Sequence, residues 1–428
     1  MKILFTKTFR TQYSNLLFII LAYAVFAIGG SLYWAAIPML SQDVFLLSTV
    51  HTGLLVSLIG VIYVITDGPI GIILDHIGYK RGSVFALFFA SITAIISLFT
   101  PSLPVFLFGL VSYAIAWNML TCATSAYLLY SVPKDIEGTI FGAYGSIYSF
   151  GVLVATFFIG FVLQWGFTKV GLFFLLFIII SLFLILFFVR SEKRKYDKSL
   201  MQGIRSYWCG RSQWSLGWQV MKEFKPLSWI SVLDGFSGYL LSSIIWFVIP
   251  LSLAKFSHPL LPEGAALSFY EFSGVIFIGV GGYLADHFDK KKLYLMLLLS
   301  LGIVIVGMGF TSNIFLFLFL FFIASALRDA SNTPLSAMVA DVDKKHDKDA
   351  TFYGFTGIFT DLGFIIGPIA AGILLAHFGL RGVFVFLGSL ILINWLCAKI
   401  LLSHSEIKKT GMQLHRKSHL GGMPRHHR

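Results

Sequence analysis

Six ionisable side chains stand well inside runs that are mostly apolar: Asp67, Asp234, Glu271, Arg328, Asp329 and Asp361. Such a group is costly to bury in hydrocarbon without a partner, so each one marks by default a solute path, a binding group or a proton relay. Arg328 lies near the middle of its run, where a guanidinium either grips an anionic or polar solute or holds an acidic partner. Asp361 is either that partner or a proton carrier, since a carboxyl that takes up and gives back a proton is what proton coupling requires. Asp329 follows Arg328 and points about 100° away on a helix, so one of the two faces another helix. Asp67 and Asp234 sit nearer the ends of their runs, where a hydrated cap or an ion pair between halves of the chain competes with a transport role. Glu271 is also near an end, within reach of water. All five acids are candidates for proton coupling.

These groups need long apolar elements to carry them. The chain has 428 residues, of which 57% are hydrophobic and only 12% are charged, with a mean hydropathy of +0.84. A soluble domain cannot hide that much apolar surface, so the solvent for most of the chain is lipid. In lipid only helices and closed barrels satisfy every backbone polar group, and a barrel is written in alternating segments of about 10 residues. Here the runs are continuous, as at 170–189 and 293–310, and each is near the roughly 20 residues that span a bilayer as a helix. Charged and turn-rich breaks cut the chain into spans near 15–40, 51–74, 83–100, 103–130, 139–163, 167–189, 229–255, 265–285, 293–312, 314–341, 351–377 and 381–402. The basic start followed by 16–28 is read as a retained first helix, without the small-residue cleavage pattern of a signal peptide.

With an even number of spans both ends lie on one side. The two ends and the loops on their side hold 27 of the 32 Lys and Arg residues, which makes that side cytoplasmic by the positive-inside rule. The net charge of +12 therefore follows from topology and gives no support for nucleic-acid binding. The long loop after the sixth span is basic and carries Trp208, Trp214 and Trp218; its segment SLGWQVMKEF reads either as an amphipathic helix on the inner leaflet or as a solvated linker. The expected organisation is a cytoplasmic amino end 1–14, a bundle 15–189, a linker 190–228, a second bundle 229–402 and a basic tail 403–428.

The two bundles are related. Ser31, Trp34, Ile37 and Pro38 recur as Ser243, Trp246, Ile249 and Pro250, and Thr139, Gly142, Gly145, Gly151 and Gly160 recur as Thr351, Gly354, Gly357, Gly363 and Gly372, all at an offset of 212. Gly71, Asp75 and His76 recur as Gly282, Asp286 and His287 at 211. Three separated blocks at nearly one offset indicate duplication. A parallel repeat of six helices plus six places a solute site between the halves, near the bilayer midplane. The fold class is thus all-α integral membrane, with twelve transmembrane helices in two pseudo-symmetric six-helix bundles.

The loop after the second span, with Gly71, Asp75, Gly78, Lys80 and Arg81, resembles the G-x-x-x-D-x-x-G-x-[KR]-[KR] motif of the major facilitator superfamily of secondary transporters. Its second copy keeps Gly282, Asp286, Lys291 and Lys292 but has Asp289 where the second glycine is expected. The resemblance covers about 12–402. It implies a latch that joins the halves on the cytoplasmic side in the outward-open state, made of Gly71, Asp75, Gly78, Lys80, Arg81 and Asp286. Asp75 would meet the start of helix 11 near Ala350 and Thr351, with Asp135 or Glu137 as a further member. Gly363, Gly367, Pro368 and Gly372 resemble the family's antiporter motif, displaced from helix 5 to helix 11, and are expected to serve helix packing. The resemblance also implies a central cavity, with Tyr33, Trp34, Trp117, Asn118, Trp246 and Arg328 as its expected wall. Such a wall is aromatic with few polar anchors and suits an amphiphilic or aromatic organic solute.

No H-E-x-x-H, G-x-S-x-G or phosphate-cradling glycine loop stands in the loops, so no enzyme is expected. Cys122, Cys209 and Cys397 are widely spaced, and the His residues of the tail have no fixed ligand spacing, so neither a metal nor a cofactor is expected. The function expected is a secondary transporter that moves a small organic solute by alternating access as a monomer in the bilayer of a bacterial inner membrane. The proton gradient is its driving force and efflux by antiport its direction. A proton-coupled importer of a nutrient is the alternative, and a transport-inactive sensor on the same fold ranks behind it.

Overall fold

The structure, a computed structural model, describes residues 14–99, 102–132, 137–164, 166–191, 215, 218–219, 221–252, 265–343 and 349–420. The described residues fold as α1 (Ser14–Asp43), α2 (Thr49–Ile77), α3 (Tyr79–Ser97), α4 (Leu103–Ser131), α5 (Glu137–Gln164), α6 (Phe167–Phe188), α7 (Leu227–Leu251), α8 (Ala265–His287), α9 (Lys290–Met308), α10 (Ile314–Asp343) and a long helical stretch, Asp349–Leu420. That stretch breaks at Gly379 (φ 62°, ψ −166°), which divides it into α11 (349–378) and α12 (380–420). The expected and observed spans agree in number and order. Among the described residues, nine helical segments are long and apolar enough to cross a membrane, the last holding both α11 and α12, while α5 and α8 carry shorter apolar stretches at Ala143–Ile159 and Ala266–Ile278. Helix continues through 403–420, within the expected basic tail 403–428.

Glycine closes two corresponding turns. Gly166 (φ 90°) separates α5 from α6, and Gly379 (φ 62°) separates α11 from α12. A left-handed φ costs a residue with a Cβ, so both helix breaks rest on glycine.

The duplication read from sequence is present in the packing. Within the first half α1 packs on α5 and α6, α3 on α4 and α6, and α2 on α4; within the second half α7 packs on α11 and α12, α9 on α10 and α12, and α8 on α10. The match extends to single atoms. A Cβ on Gly151 of α5 would lie 2.7 Å from the carbonyl oxygen of Ala24, and a Cβ on Gly363 of α11 would press on the carbonyl of Phe236. Both the two glycines and the two carbonyls are 212 positions apart. Large apolar side chains such as Phe88, Ile303 and Phe187 stay exposed on the outer surface, where lipid replaces water as their solvent.

The halves meet along two seams, α2 on α11 and α5 on α8, with a smaller contact of α1 on α7. Along the first seam the facing glycines lie on the side of the membrane away from the chain ends. Gly53 backs onto Pro368, Gly60 onto Phe364 and Ile365, and Gly372 onto Thr49 and Val50, with a Cβ at Gly372 falling 2.8 Å from the Thr49 carbonyl. Small residues let two membrane helices approach closely, and close approach here seals that face. Trp34 of α1 adds a ring contact to Phe364 at 5.6 Å. On the second seam Ser268 Oγ donates to Thr156 Oγ1 at 3.3 Å.

Toward the chain ends the helices diverge. A Cβ on Gly71 of α2, Gly145 of α5 or Gly357 of α11 would meet nothing within 4 Å. Gly145 and Gly357 are themselves repeat mates. Among the described residues the molecule is therefore closed at one face of the membrane and open toward the other, where Asp67 and Tyr239 stay exposed between the halves.

In the linker, Met221 and Phe224 are buried and Ser228 Oγ donates to the Met221 carbonyl at 2.7 Å. Met221 packs with Val232, Ile358 and Phe359. This end of the expected leaflet-bound segment lies against α7 and α11; residues 192–214, with Trp208 and Trp214, fall outside the described residues.

Candidate functional site

The open cleft leads to the six intramembrane charges, and they fall into three groups. The first joins the halves: the carboxyl groups of Asp67 (α2) and Asp361 (α11) meet within hydrogen-bonding range. Asn118 of α4 holds Asp67 in place, its Nδ2 donating to Asp67 Oδ1 and to Thr66 Oγ1 at 3.0 Å. Cys122 Sγ donates to Asn118 Oδ1 at 3.4 Å. A hydrogen bond between two carboxyl groups needs a proton on one of them, because two carboxylates have acceptors only and repel. Tyr63, Tyr239, Cys122 and, through these tyrosines, Tyr148 are the other titratable groups around this pair.

The second group lies within the second half. Arg328 Nη1 of α10 donates to Asp234 Oδ2 of α7 at 2.9 Å, an ion pair between two helices of the same half. Tyr294 of α9 donates to the other oxygen, Oδ1, at 3.0 Å. The guanidinium lies over Gly238, in space that a Cβ there would fill. Asp234 has a relative exposure of 3% and so is a buried charge with both oxygens satisfied, the condition under which such a group is tolerated.

The third group is at the second seam. Glu271 of α8 lies beside Asp329 of α10 and within hydrogen-bonding range of the Trp246 indole. Ser273 donates to Asp329 Oδ2 at 2.6 Å. A Cβ on Gly274 would be 3.1 Å from Ser149 Oγ of α5 and 3.6 Å from Asp329 Oδ2, which places the cluster where α5 crosses α8.

Tyr63, Tyr148 and Tyr239 stand between the first and third groups, while the Tyr270 ring stacks on the buried Phe321 at 5.0 Å between centroids. Tyr63 and Tyr239 face Asp67 and Asp361, Tyr148 and Tyr270 face Glu271, and Tyr148 also neighbours Tyr239. Tyr239 is 47% exposed although its neighbours come from both halves, so it lines the cleft. Asp67 is exposed in the same way.

Several placements differ from those expected. Of the two roles expected for Asp361, partner of Arg328 or proton carrier, the first is not met: Asp361 meets Asp67, and Arg328 binds Asp234. Glu271, expected to reach water at a helix end, is only partly exposed and sits among Tyr148, Tyr270 and Asp329. Tyr33, expected in the cavity wall, is fully buried inside the first half against Tyr113 and Phe174, at 5.2 and 5.5 Å between ring centroids. Trp34 belongs to the sealed face. Trp117 packs over Gly30 and reaches the Tyr148 ring at 6.4 Å, while Trp246 is 8% exposed beside Glu271. The sequence reading missed Tyr63, Tyr148, Tyr239 and Tyr270. Two carried a local signal: Tyr63 stands four residues before Asp67, on the same helical face, and Tyr148 is the repeat mate of Thr360, next to Asp361.

The residues of the expected latch stand at the open mouth. Gly71 faces empty space, Asp75 Oδ1 accepts from Tyr79 Oη at 3.1 Å, Gly78 has φ 90°, and Arg81 is exposed. Lys80 Nζ donates to the Leu186 carbonyl at 3.0 Å, and its repeat mate Lys291 donates to that of Leu402 at 3.3 Å. The Leu186 carbonyl lies near the carboxyl end of α6, where a cation is favoured, whereas Leu402 stands within α12. Asp289, in place of the second glycine, caps α9 by accepting from Lys292 N at 2.8 Å. Asp135 and the side chains of Glu137, Asp286, Ala350 and Thr351 lie outside the described residues. On α11, Gly363 and Gly367 pack on α7, and Pro368 and Gly372 on α2, so the displaced glycine motif serves both bundle packing and the seam.

The sequence profile described as Major Facilitator Superfamily matches residues 19–260 and 235–419, one match per half. No curated protein matches the chain. Among solved structures, a bacterial homolog of the human lysosomal transporter Spinster, in an inward-facing and unoccupied conformation, superposes with a TM-score of 0.64 at 15% identity. The alignment covers 93% of this chain and 98% of that one. At that identity the likeness is one of fold.

Proposed function

The chain belongs to the major facilitator superfamily, and is accordingly a multi-pass membrane transporter and not an enzyme; we propose that it exports a small organic solute in exchange for protons, by alternating access. One observation carries this reading: Asp67 and Asp361, on opposite halves, meet in the cleft. A contact that needs one proton to hold, made between two bodies that must separate and rejoin, links protonation to the position of those bodies. Losing the proton leaves two carboxylates face to face and drives the halves apart; regaining it restores the contact.

The basic loops and both ends belong to the cytoplasmic side of the inner membrane under this reading. The cleft then opens inward, the same state as the solved Spinster homolog. Under this reading the latch of Asp75, Lys80 and Arg81 engages when the cleft opens outward. Efflux by antiport is supported by the placement of the acids beside an aromatic wall, where solute and proton compete for one site.

The test is transport in proteoliposomes. A set of radiolabelled organic solutes is screened with and without an imposed pH gradient. Acceleration of one solute against the proton flow supports antiport. Acceleration along the proton flow reverses the direction and supports import. Indifference of every transported solute to the gradient sinks proton coupling.

A further inference from the structure

The intramembrane charges do not balance. Among the described residues of the spans, five acids face one cation in the interior, and that cation, Arg328, is already engaged by Asp234. The other cation within a span, Lys399, is exposed on α12 over the Trp395 ring at 5.0 Å. An anion entering the cleft would have to take Arg328 from Asp234 and leave a carboxylate buried at 3% exposure without its charge partner, a strongly unfavourable exchange. A cation meets no such obstacle. It finds Asp67 with Asp361 nearer the mouth and Glu271 with Asp329 deeper, with the rings of Tyr63, Tyr148 and Tyr239 between them. Carboxylates attract it at long range, and aromatic faces attract it once water is removed.

Resting on the transport reading above, we infer that the cleft between the halves is a binding site for a lipophilic organic cation, held between the Asp67–Asp361 pair and Glu271. The site rejects the corresponding anion. The aromatic surface selects a flat or aryl-bearing cation over a small hydrated one, because ring contacts replace only a loosely held hydration shell. Arg328 is not a substrate anchor in this arrangement. It fixes α10 against α7 and so positions Asp329 and Glu271.

Two ions of the same shape and opposite charge make the test. Saturable binding of tetraphenylphosphonium and of tetraphenylborate is measured on the full-length protein in nanodiscs, with empty nanodiscs as the blank. Saturable binding of the cation alone is expected, and no variant is needed for that comparison. Glu271→Gln and Asp361→Asn, checked for unchanged helicity and monodispersity, should each weaken cation binding about tenfold or more. Equal or tighter binding of tetraphenylborate, no saturable binding of either ion, or cation binding untouched in both variants overturns the inference. Proton release on cation binding, read with a dye in weak buffer, reports separately on exchange. Binding without release keeps the cation site and rejects the proton antiport proposed above.

Discussion

Asp67 and Asp361 are 294 positions apart in the chain and lie on different halves, yet their carboxyl groups meet in the cleft. They sit on the α2–α11 seam, on the open side of the glycines that seal it. Any movement that opens the sealed face and closes the mouth must change this contact.

Asp361→Asn keeps the shape of the side chain but cannot lose a proton. We expect solute movement driven by a pH gradient in proteoliposomes to fall by roughly 5- to 150-fold, the span of a coupling free energy of about 1–3 kcal/mol. Exchange of labelled for unlabelled solute without a gradient should survive at saturating solute, since it needs no net proton movement and only the affinity is lowered.

The Asp234–Arg328 pair is a structural tie. Arg328→Ala should destabilise the purified protein by about 3–5 kcal/mol through the unpaired acid left behind. Asp234→Asn combined with Arg328→Gln should recover part of that loss, because neither charge is then stranded. Thermal unfolding in one detergent reads both.

Gly372→Val places side-chain atoms where the Thr49 backbone now lies. Overpacking of this kind costs about 1–3 kcal/mol, and because only the sealed state suffers it, the balance should move toward the outward-open state by roughly 5- to 150-fold. Spin labels at the exposed positions Val44 and Phe378 should show the long-distance population grow.

Asp75→Asn removes the acid expected to latch the mouth in the outward-open state. The open-mouth population described here should rise and the transport rate should fall. An unchanged rate and an unchanged balance of states reject the latch.

The fold was legible because its causes are local. Apolar runs such as 170–189 report a helix in lipid without reference to any neighbour, and the paired blocks around Pro38 and Pro250, or Gly151 and Gly363, report the duplication directly. The six charges were legible by their rarity in hydrocarbon. Their partners were not, since partnership depends on how each helix is rotated and on gaps in the facing helix. Arg328 turns to Asp234 because Gly238 leaves room for the guanidinium, and Asp361, freed of that role, faces Asp67. Tyr33 looked like a cavity residue beside Trp34, but adjacent positions on a helix point about 100° apart, and its face turns into the first half. The cleft tyrosines went unseen because tyrosine in a membrane helix carries no mark of rarity, and only proximity to an acid distinguishes them.

The coupling itself is most directly read as the width of the open mouth against pH. Spin labels on the exposed positions Phe288 of the second half and Phe187 of the first report that width. If protonation of the Asp67–Asp361 pair controls the approach of the halves, the distance distribution shifts with pH in the otherwise unaltered protein and becomes independent of pH in Asp67→Asn/Asp361→Asn. The same pH-dependent shift in both proteins would contradict the account.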